Sequence, residues 1–144
     1  MMDIQASLLT YLWNKLTSDE ELKSLMNGEV RLYLTWAAPD SPLPYLVYRI
    51  DMSNVADWSP VRRCTLYLDI WSYSPSVNEA LNIRKRVMEL LDNLSDSTGE
   101  TTEFYLWIQT DSFIPESTEG MHHYAMQFNL KYLRDAQIGV LLKR

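Results

Sequence analysis

At 144 residues, 47% of them apolar and with five Trp, nine Tyr and three Phe, the chain has the size of one domain and enough apolar surface for a packed core, which excludes intrinsic disorder. Thirteen Lys and Arg against nineteen Asp and Glu leave a formal charge of -6, a field that repels phosphate and excludes sequence-independent nucleic-acid binding as a function. With four glycines and six prolines the sequence offers no flexible linker, and residues 1–144 read as a single domain.

Ile4, Leu8, Leu9, Leu12, Trp13 and Leu16 recur at helical spacing, so residues 3 to about 16 are predicted as an amphipathic helix with that stripe toward the core. Ser18 followed by Glu21 has the form of a capping box, and Gly28 is a stop signal, which predicts a second, short helix over about 19–26. From Val30 to Trp36 the residues favour a strand. Pro39, Pro42 and Pro44 then force a turn-rich connection to a second strand over 45–50. The polar stretch 51–60 closes a hairpin onto a third strand, 62–73, in which Cys64, Leu66, Leu68 and Ile70 share the core face. Ser74 as N-cap and Pro75 at the first helical position open a helix carrying Ala80, Leu81, Ile83, Val87, Leu90, Leu91 and Leu94 to about Asn93.

Residues 95–101 read as a polar break, followed by a fourth strand in which Phe104, Leu106 and Ile108 alternate with Tyr105, Trp107 and Gln109. Residues 111–120 read as a second polar connection. In the last strand His122, Tyr124, Met126, Phe128, Leu130 and Tyr132 form the buried face, against a wet face of His123, Ala125, Gln127, Asn129 and Lys131. The apolar run 138–142 lies in a tail, 135–144, read as flexible or as an interface. The fold class is α+β: a single, mostly antiparallel sheet of about five strands with two main helices on one face, in the order helix, short helix, strand, strand, strand, helix, strand, strand.

The chemistry of the chain is sparse. Adjacent His122 and His123 point to opposite faces of a strand and cannot chelate one ion together. With Cys64 as the one cysteine, no intrachain disulfide or multi-thiolate metal site can form, and its core-face position makes it a small buried hydrophobe in preference to a nucleophile. Asp69, between Tyr67 and Trp71 on the non-core face, is an interface polar group before it is a general base. Arg84, Lys85 and Arg86 read as a solvated helix face, and Asn93-Leu94-Ser95 as a chance sequon in a chain whose Met1-Met2-Asp3 start lacks the basic segment of a signal peptide. No run approaches the roughly 20 apolar residues of a membrane span. No cofactor, metal or catalytic residue is expected.

One feature stands apart. Tyr67, Trp71, Tyr73, Tyr105 and Trp107 fall on the face opposite the core residues of their strands, so the sheet is expected to carry large rings on both sides, and rings left outside mark a contact surface.

Pro-Leu-Pro-Tyr-Leu-Val-Tyr at 42–48, then Arg-Arg-Cys-Thr-Leu-Tyr-Leu-Asp-Ile-Trp at 62–71 running into a helix that ends Val-Met-Glu-Leu-Leu at 87–91, resembles the tail-completion or tail-terminator family of tailed bacteriophages and prophages. Asp111-Ser112-Phe113 through Glu119-Gly120, followed by the alternating strand 122–132, is similar to that family's ending, and the likeness spans roughly residues 4–134. Trp58-Ser59-Pro60 departs from it, standing where relatives tend to have glycine-rich turns. The resemblance implies a structural virion subunit, without catalytic residues or cofactor, that closes into a ring, commonly a hexamer. Such a ring terminates the tail tube and joins it to the head connector, with DNA only as passing cargo and no membrane involved. It further implies assembly in the cytoplasm of a bacterial host and residence at the head-proximal end of the tail. An acidic bore suits DNA that must slide. Trp58, Tyr67, Trp71, Tyr105 and Trp107 are the expected oligomer-interface residues, since ring closure needs two different patches that meet. Two other readings stay open: a head-side connector or adaptor of the same virion, and a dimeric small-molecule binder or enzyme built around Asp69.

Overall fold

The computed structural model describes residues 4–52, 61–98 and 103–133. Helix α1 (Ile4–Thr17) buries Leu8, Leu12 and Leu16, a row with a period of four that lies along one side of the helix. A sharp turn at Ser18 leads into α2 (Glu20–Leu25). Its cap is Asp19, whose carboxylate accepts the Leu22 N–H at 2.9 Å, so the expected capping role of Ser18 passes one residue on. Ser18 instead donates its hydroxyl back to the Asn14 carbonyl. At the other end of α2 the left-handed residue is Asn27 (φ 63°), and the Gly28 N–H returns to the Lys23 carbonyl at 2.7 Å, the hydrogen bond of a Schellman stop.

The strands are β1 (Leu32–Leu34), β2 (Tyr45–Asp51), β3 (Val61–Tyr73), β4 (Leu94–Ser97), β5 (Glu103–Ile114) and β6 (Met121–Leu133), with helix α3 (Asn78–Leu91) crossing between β3 and β4. They form one six-stranded sheet in the order β1-β2-β3-β6-β5-β4. Every pairing is antiparallel except β1 with β2. The long central strands β3 and β6, each 13 residues, set the register: Leu66 faces Phe128, Leu68 faces Met126 and Cys64 faces Leu130. These side chains join Leu8, Leu12 and Leu16 of α1, Leu22 of α2 and Ile83, Val87 and Leu91 of α3 in one buried cluster. All three helices therefore cover one face of the sheet, as the alternation in β3 requires.

Several boundaries differ from the sequence reading, each for a local reason. The first strand keeps only three residues because Thr35 turns to φ 71°, conformational space that a β-branched residue rarely enters. The N-cap of α3 is Val77, without a side-chain cap; Ser74 and Ser76 instead accept the N–H groups of Ser76 and Asn78 in two turns that precede the helix. Asn93, at φ 60°, ends the helix region, and what reads as a polar break includes the sixth strand, β4, paired to β5 through Leu94–Leu106 and Asp96–Phe104.

The expected connection 111–120 is in part strand, since β5 runs on to Ile114. A bulge between Ile108 and Thr110 resets the facing, so Asp111 and Phe113 turn to the helix side opposite Met126 and Tyr124. Trp13, expected within the core stripe, is 43% exposed because it lies off the Leu8–Leu12–Leu16 row.

Two ion pairs fasten helix to helix and helix to sheet. Asp19 receives both Arg86 nitrogens, Nε at 2.9 Å and Nη2 at 2.7 Å, which locks α2 to α3 and, with the Arg86 hydrogen bond leading, holds the Asp19 carboxyl below the usual range. Arg84 clasps Asp111 just past the bulge. The run 84–86 is thus only partly a solvated face: Lys85 is exposed and the two arginines are structural.

Phe128→Ala, removing a fully buried ring at the centre of β6, is expected to lower the unfolding free energy by about 3–5 kcal/mol. Tyr73→Ala, at a site 58% exposed, is expected to stay within about 1 kcal/mol. Urea denaturation followed by far-ultraviolet circular dichroism ranks the two, and the reverse order would put the core on the wrong face of the sheet.

Candidate functional site

The face of the sheet away from the helices carries the residues singled out as interface candidates. Reading across the strands, one row runs Tyr45–Trp71–His123–Ile114, the next Val47–Asp69–Ala125–Ser112, then Arg49–Tyr67–Gln127–Thr110, Asp51–Thr65–Asn129–Trp107 and Arg63–Lys131–Tyr105. Tyr67, Trp71 and Trp107 are half-buried and Tyr105 is 40% exposed. No described helix covers them. Trp58 lies outside the described residues, as do most of the 51–60 connection and the tail 135–144.

The rings do not form one continuous sheet of aromatics. Trp71 and Trp107 lie at opposite ends of the face, with Gln127, Thr110, Ala125 and Ser112 between them. Each ring also meets a cationic or ionisable neighbour of its own subunit. The Arg49 guanidinium sits 3.9 Å above the Tyr67 ring, and Lys131 Nζ lies 5.5 Å from the Trp107 ring. The His123 imidazole stacks on Trp71 with centroids 3.8 Å apart and planes 15° apart. Such contacts contribute about 0.5–1 kcal/mol each when exposed, enough to orient a ring but far from what full burial of one yields. Tyr105 packs on Trp107 at 5.2 Å and donates its hydroxyl to Asn93.

His123, expected on the wet face, is the buried histidine, and His122 reaches the Ser74 carbonyl from the helix side. The reason is that β3 and the turn after β5 each supply a carboxylate. His123 Nδ1 is 2.9 Å from Glu116 Oε1, while Nε2 is 3.2 Å from Asp69 Oδ1 at an angle that makes no hydrogen bond. The two acids flank opposite nitrogens, an arrangement that fixes the ring but leaves neither nitrogen for a metal. Among the described residues no group of three or more His, Cys, Asp and Glu is placed to hold a metal ion. Burial pushes the Cys64 thiol up to about 12, with Asp51 adding to it, so this cysteine sits in the core as a thiol and not as a nucleophile.

A second surface was hidden in the sequence. Trp36 is 76% exposed, Leu34 52% and Trp13 43%, the first two at the free edge of β1 and the third on α1 beside it. The hollow between these elements is lined by Trp13, Lys23, Glu29, Arg31 and Tyr33, and a shallower one by Leu9, Trp13, Leu34 and Tyr48. Nothing in the strand pattern of 30–36 announces this, because the exposure of Trp36 comes from the turn at Thr35.

The sequence pattern of the family described as Tail completion protein gp17 matches residues 10–132. Among solved structures, the fold is similar to a chain in the "Virion of native gene transfer agent (GTA) particle", with a TM-score of 0.71 and 16% identity over 90% of this chain and 94% of that one. It is also similar to the gp17 protein of bacteriophage SPP1, with a TM-score of 0.55 and 20% identity over 91% of each chain. At those identities the likeness is one of fold. No curated protein sequence matches.

The His123 cluster gives stability a pH dependence whose sign can be worked out. Burial pulls the imidazole pKa down, but Asp69 and then Glu116 outweigh it, and the net direction is upward from 6.5. A folded-state pKa above the unfolded one contributes stability that is fully present below about 6.5 and is lost as pH rises through the folded value. The stability gap between the native chain and His123→Gln is therefore expected to be largest near pH 5.5–6 and to shrink by pH 9, as read from urea midpoints. A gap that widens with pH would contradict the ion pairs described.

Proposed function

Because the chain belongs to the Tail completion protein gp17 family, whose members are structural phage tail proteins and not enzymes, we propose that it closes into a ring that terminates the tail tube and joins it to the head. The ring is commonly a hexamer in the reading developed from the sequence, and its partners are further copies of itself, the tail tube protein and the head connector protein. The observation that carries this reading beyond family membership is the open β face: half-buried Tyr67, Trp71 and Trp107 and exposed Tyr105 lie where no described helix covers them. Rings of this type in this setting are the residues that dominate protein contacts once water is excluded. The acidic balance of the chain, -6 overall, supports DNA as cargo that passes without being held. Assembly then takes place in the host bacterial cytoplasm, with the mature protein at the head-proximal end of the tail. No helix of the described residues is long and apolar enough to cross a membrane.

Adding the purified protein to tails and imaging them by negative-stain electron microscopy is expected to place density at their head-proximal ends. Co-purification with portal in preference to tail tube would move the protein to the head side of the joint and overturn the terminator role. Trp71→Ala and Trp107→Ala are each expected to weaken assembly by about 2 kcal/mol, roughly thirtyfold, while moving the unfolding midpoint little. Equal losses in assembly and stability would assign those rings to the fold alone.

A further inference from the structure

The six-stranded sheet is open, and both of its edges carry unpaired main chain next to apolar side chains. At one edge β1 offers its outer side, with Leu34 and Trp36 exposed. At the other, β4 pairs only with residues 103–106 of β5, so the outer side of β5 beyond Leu106 has no strand partner among the described residues. Phe113 at 47% and Ile114 at 36% exposure lie along that stretch. One main-chain group there is already met, the Ile108 N–H by Asp92 at 2.9 Å.

Two further observations distinguish these edges from ordinary surface. Thr35, directly after β1, holds φ 71°, a conformation costing on the order of 1–3 kcal/mol for such a residue, and its effect is to end the strand and turn Trp36, the most exposed large apolar side chain described, outward. The charges of the two edges are also of opposite sign. The sequence of α1 and of residues 30–37 has Lys15 and Arg31 and no acid, whereas residues 103–120 have Glu103, Asp111, Glu116 and Glu119 and no base. Asp111 and Glu116 are engaged by Arg84 and His123, which leaves Glu103 and Glu119 to set the sign, and Glu29 is the one acid lining the hollow at the β1 edge.

We propose that the β1 edge of one copy, with Trp13, Leu34 and Trp36, seats the outer edge of β5 of a second copy, with Phe113 and Ile114, so that one seam extends the sheet from subunit to subunit. The inference rests on the ring reading above and names the lateral contact within it. Opposite edges of one sheet are by construction different surfaces, so the contact is heterologous and propagates in one direction, the type of interface from which closed rings are made. The seam leaves the middle of the open face, around Tyr67, free for the tail tube.

The test uses one block at each edge. Leu34→Lys and Ile114→Lys place a charge on an edge strand, the device by which edges are kept from pairing, at positions exposed enough to leave the fold intact, which melting curves check. In sedimentation velocity the native chain is expected to form species larger than a dimer, and each variant alone to associate at least tenfold more weakly. An equimolar mixture of the two retains one intact edge from each partner and is expected to give a 1:1 heterodimer and nothing larger. Raising salt from 50 mM to 500 mM should weaken the native association, as charge complementarity requires. Leu34→Lys alone failing while Ile114→Lys still dimerises would reveal a symmetric β1 contact and overturn the proposal, as would native-like association of either variant or a native chain that stays monomeric at every concentration. A native chain that is monomeric in solution yet decorates tail ends overturns the seam and leaves the tail reading standing. One that associates through both edges yet ignores tails does the reverse.

Discussion

The constraint from which the rest follows is that a single β layer has two faces and this chain has helices for only one. Side chains in a strand alternate with a period of two, so every residue that β3 and β6 bury against Leu8, Leu12, Ile83 and Val87 implies a neighbour on the far side. In a two-layer α/β arrangement those neighbours are usually short and polar. Here they include Tyr67, Trp71, Tyr105 and Trp107, each too large to be indifferent to water. Burying one such ring contributes on the order of 2–3 kcal/mol, more than any single surface contact available to it within the subunit.

The chain deals with this surplus by pairing rings with cations instead of with helices. Arg49 over Tyr67, Lys131 beside Trp107 and the carboxylate-flanked His123 on Trp71 give each ring a local partner whose polar end stays in or near solvent. A face built this way keeps its apolar area in pieces, and pieces separated by Gln127, Thr110 and Ser112 do not drive indiscriminate adhesion. The same cations can be displaced or shared when a complementary surface arrives, since the aromatic contact they supply is worth little more than the hydration they give up.

Much of this was legible in the sequence, and the parts that were not share a cause. The alternation in 62–73 and 122–132, the helical stripes of 4–16 and 80–91 and the position of Cys64 in the core are global patterns repeated over many residues, so single errors average out. What the sequence hid were single backbone events. One extra residue at the Ile108–Thr110 bulge moves Asp111 and Phe113 to the helix side, where period-two reasoning would not put them. One left-handed threonine shortens β1 and exposes Trp36. Ser18 and Asp19 are both good caps, and only the distant Arg86, 67 residues along the chain, decides between them. His123 shows the same limit: its burial depends on carboxylates from β3 and from the turn after β5, neither of which is visible from the strand that carries it. Of the candidate site, the open face was legible from alternation, the cations on it were not, and the apolar β1 edge was missed because its exposure is a property of a turn.

An open sheet exposes its edges as well as its face, and the edges here are restrained without being closed. β1 is three residues long and β4 four, lengths at which an approaching strand gains few hydrogen bonds. The bulge in β5 adds local twist and, with Asp92 already holding the Ile108 N–H, spoils the regular ladder that an arbitrary partner would need. These are the features by which sheet proteins avoid uncontrolled pairing, yet each stops short of abolition: β1 ends in an outward tryptophan where a lysine would have closed the edge, and β5 carries Phe113 and Ile114 where charges would have done the same. An edge that rejects most strands by being short and twisted, but presents anchored apolar side chains and a definite charge sign to one, trades affinity for selectivity. That balance follows from the same economy of helices that leaves the β face bare, because a third layer covering that face would also have had to wrap the edges.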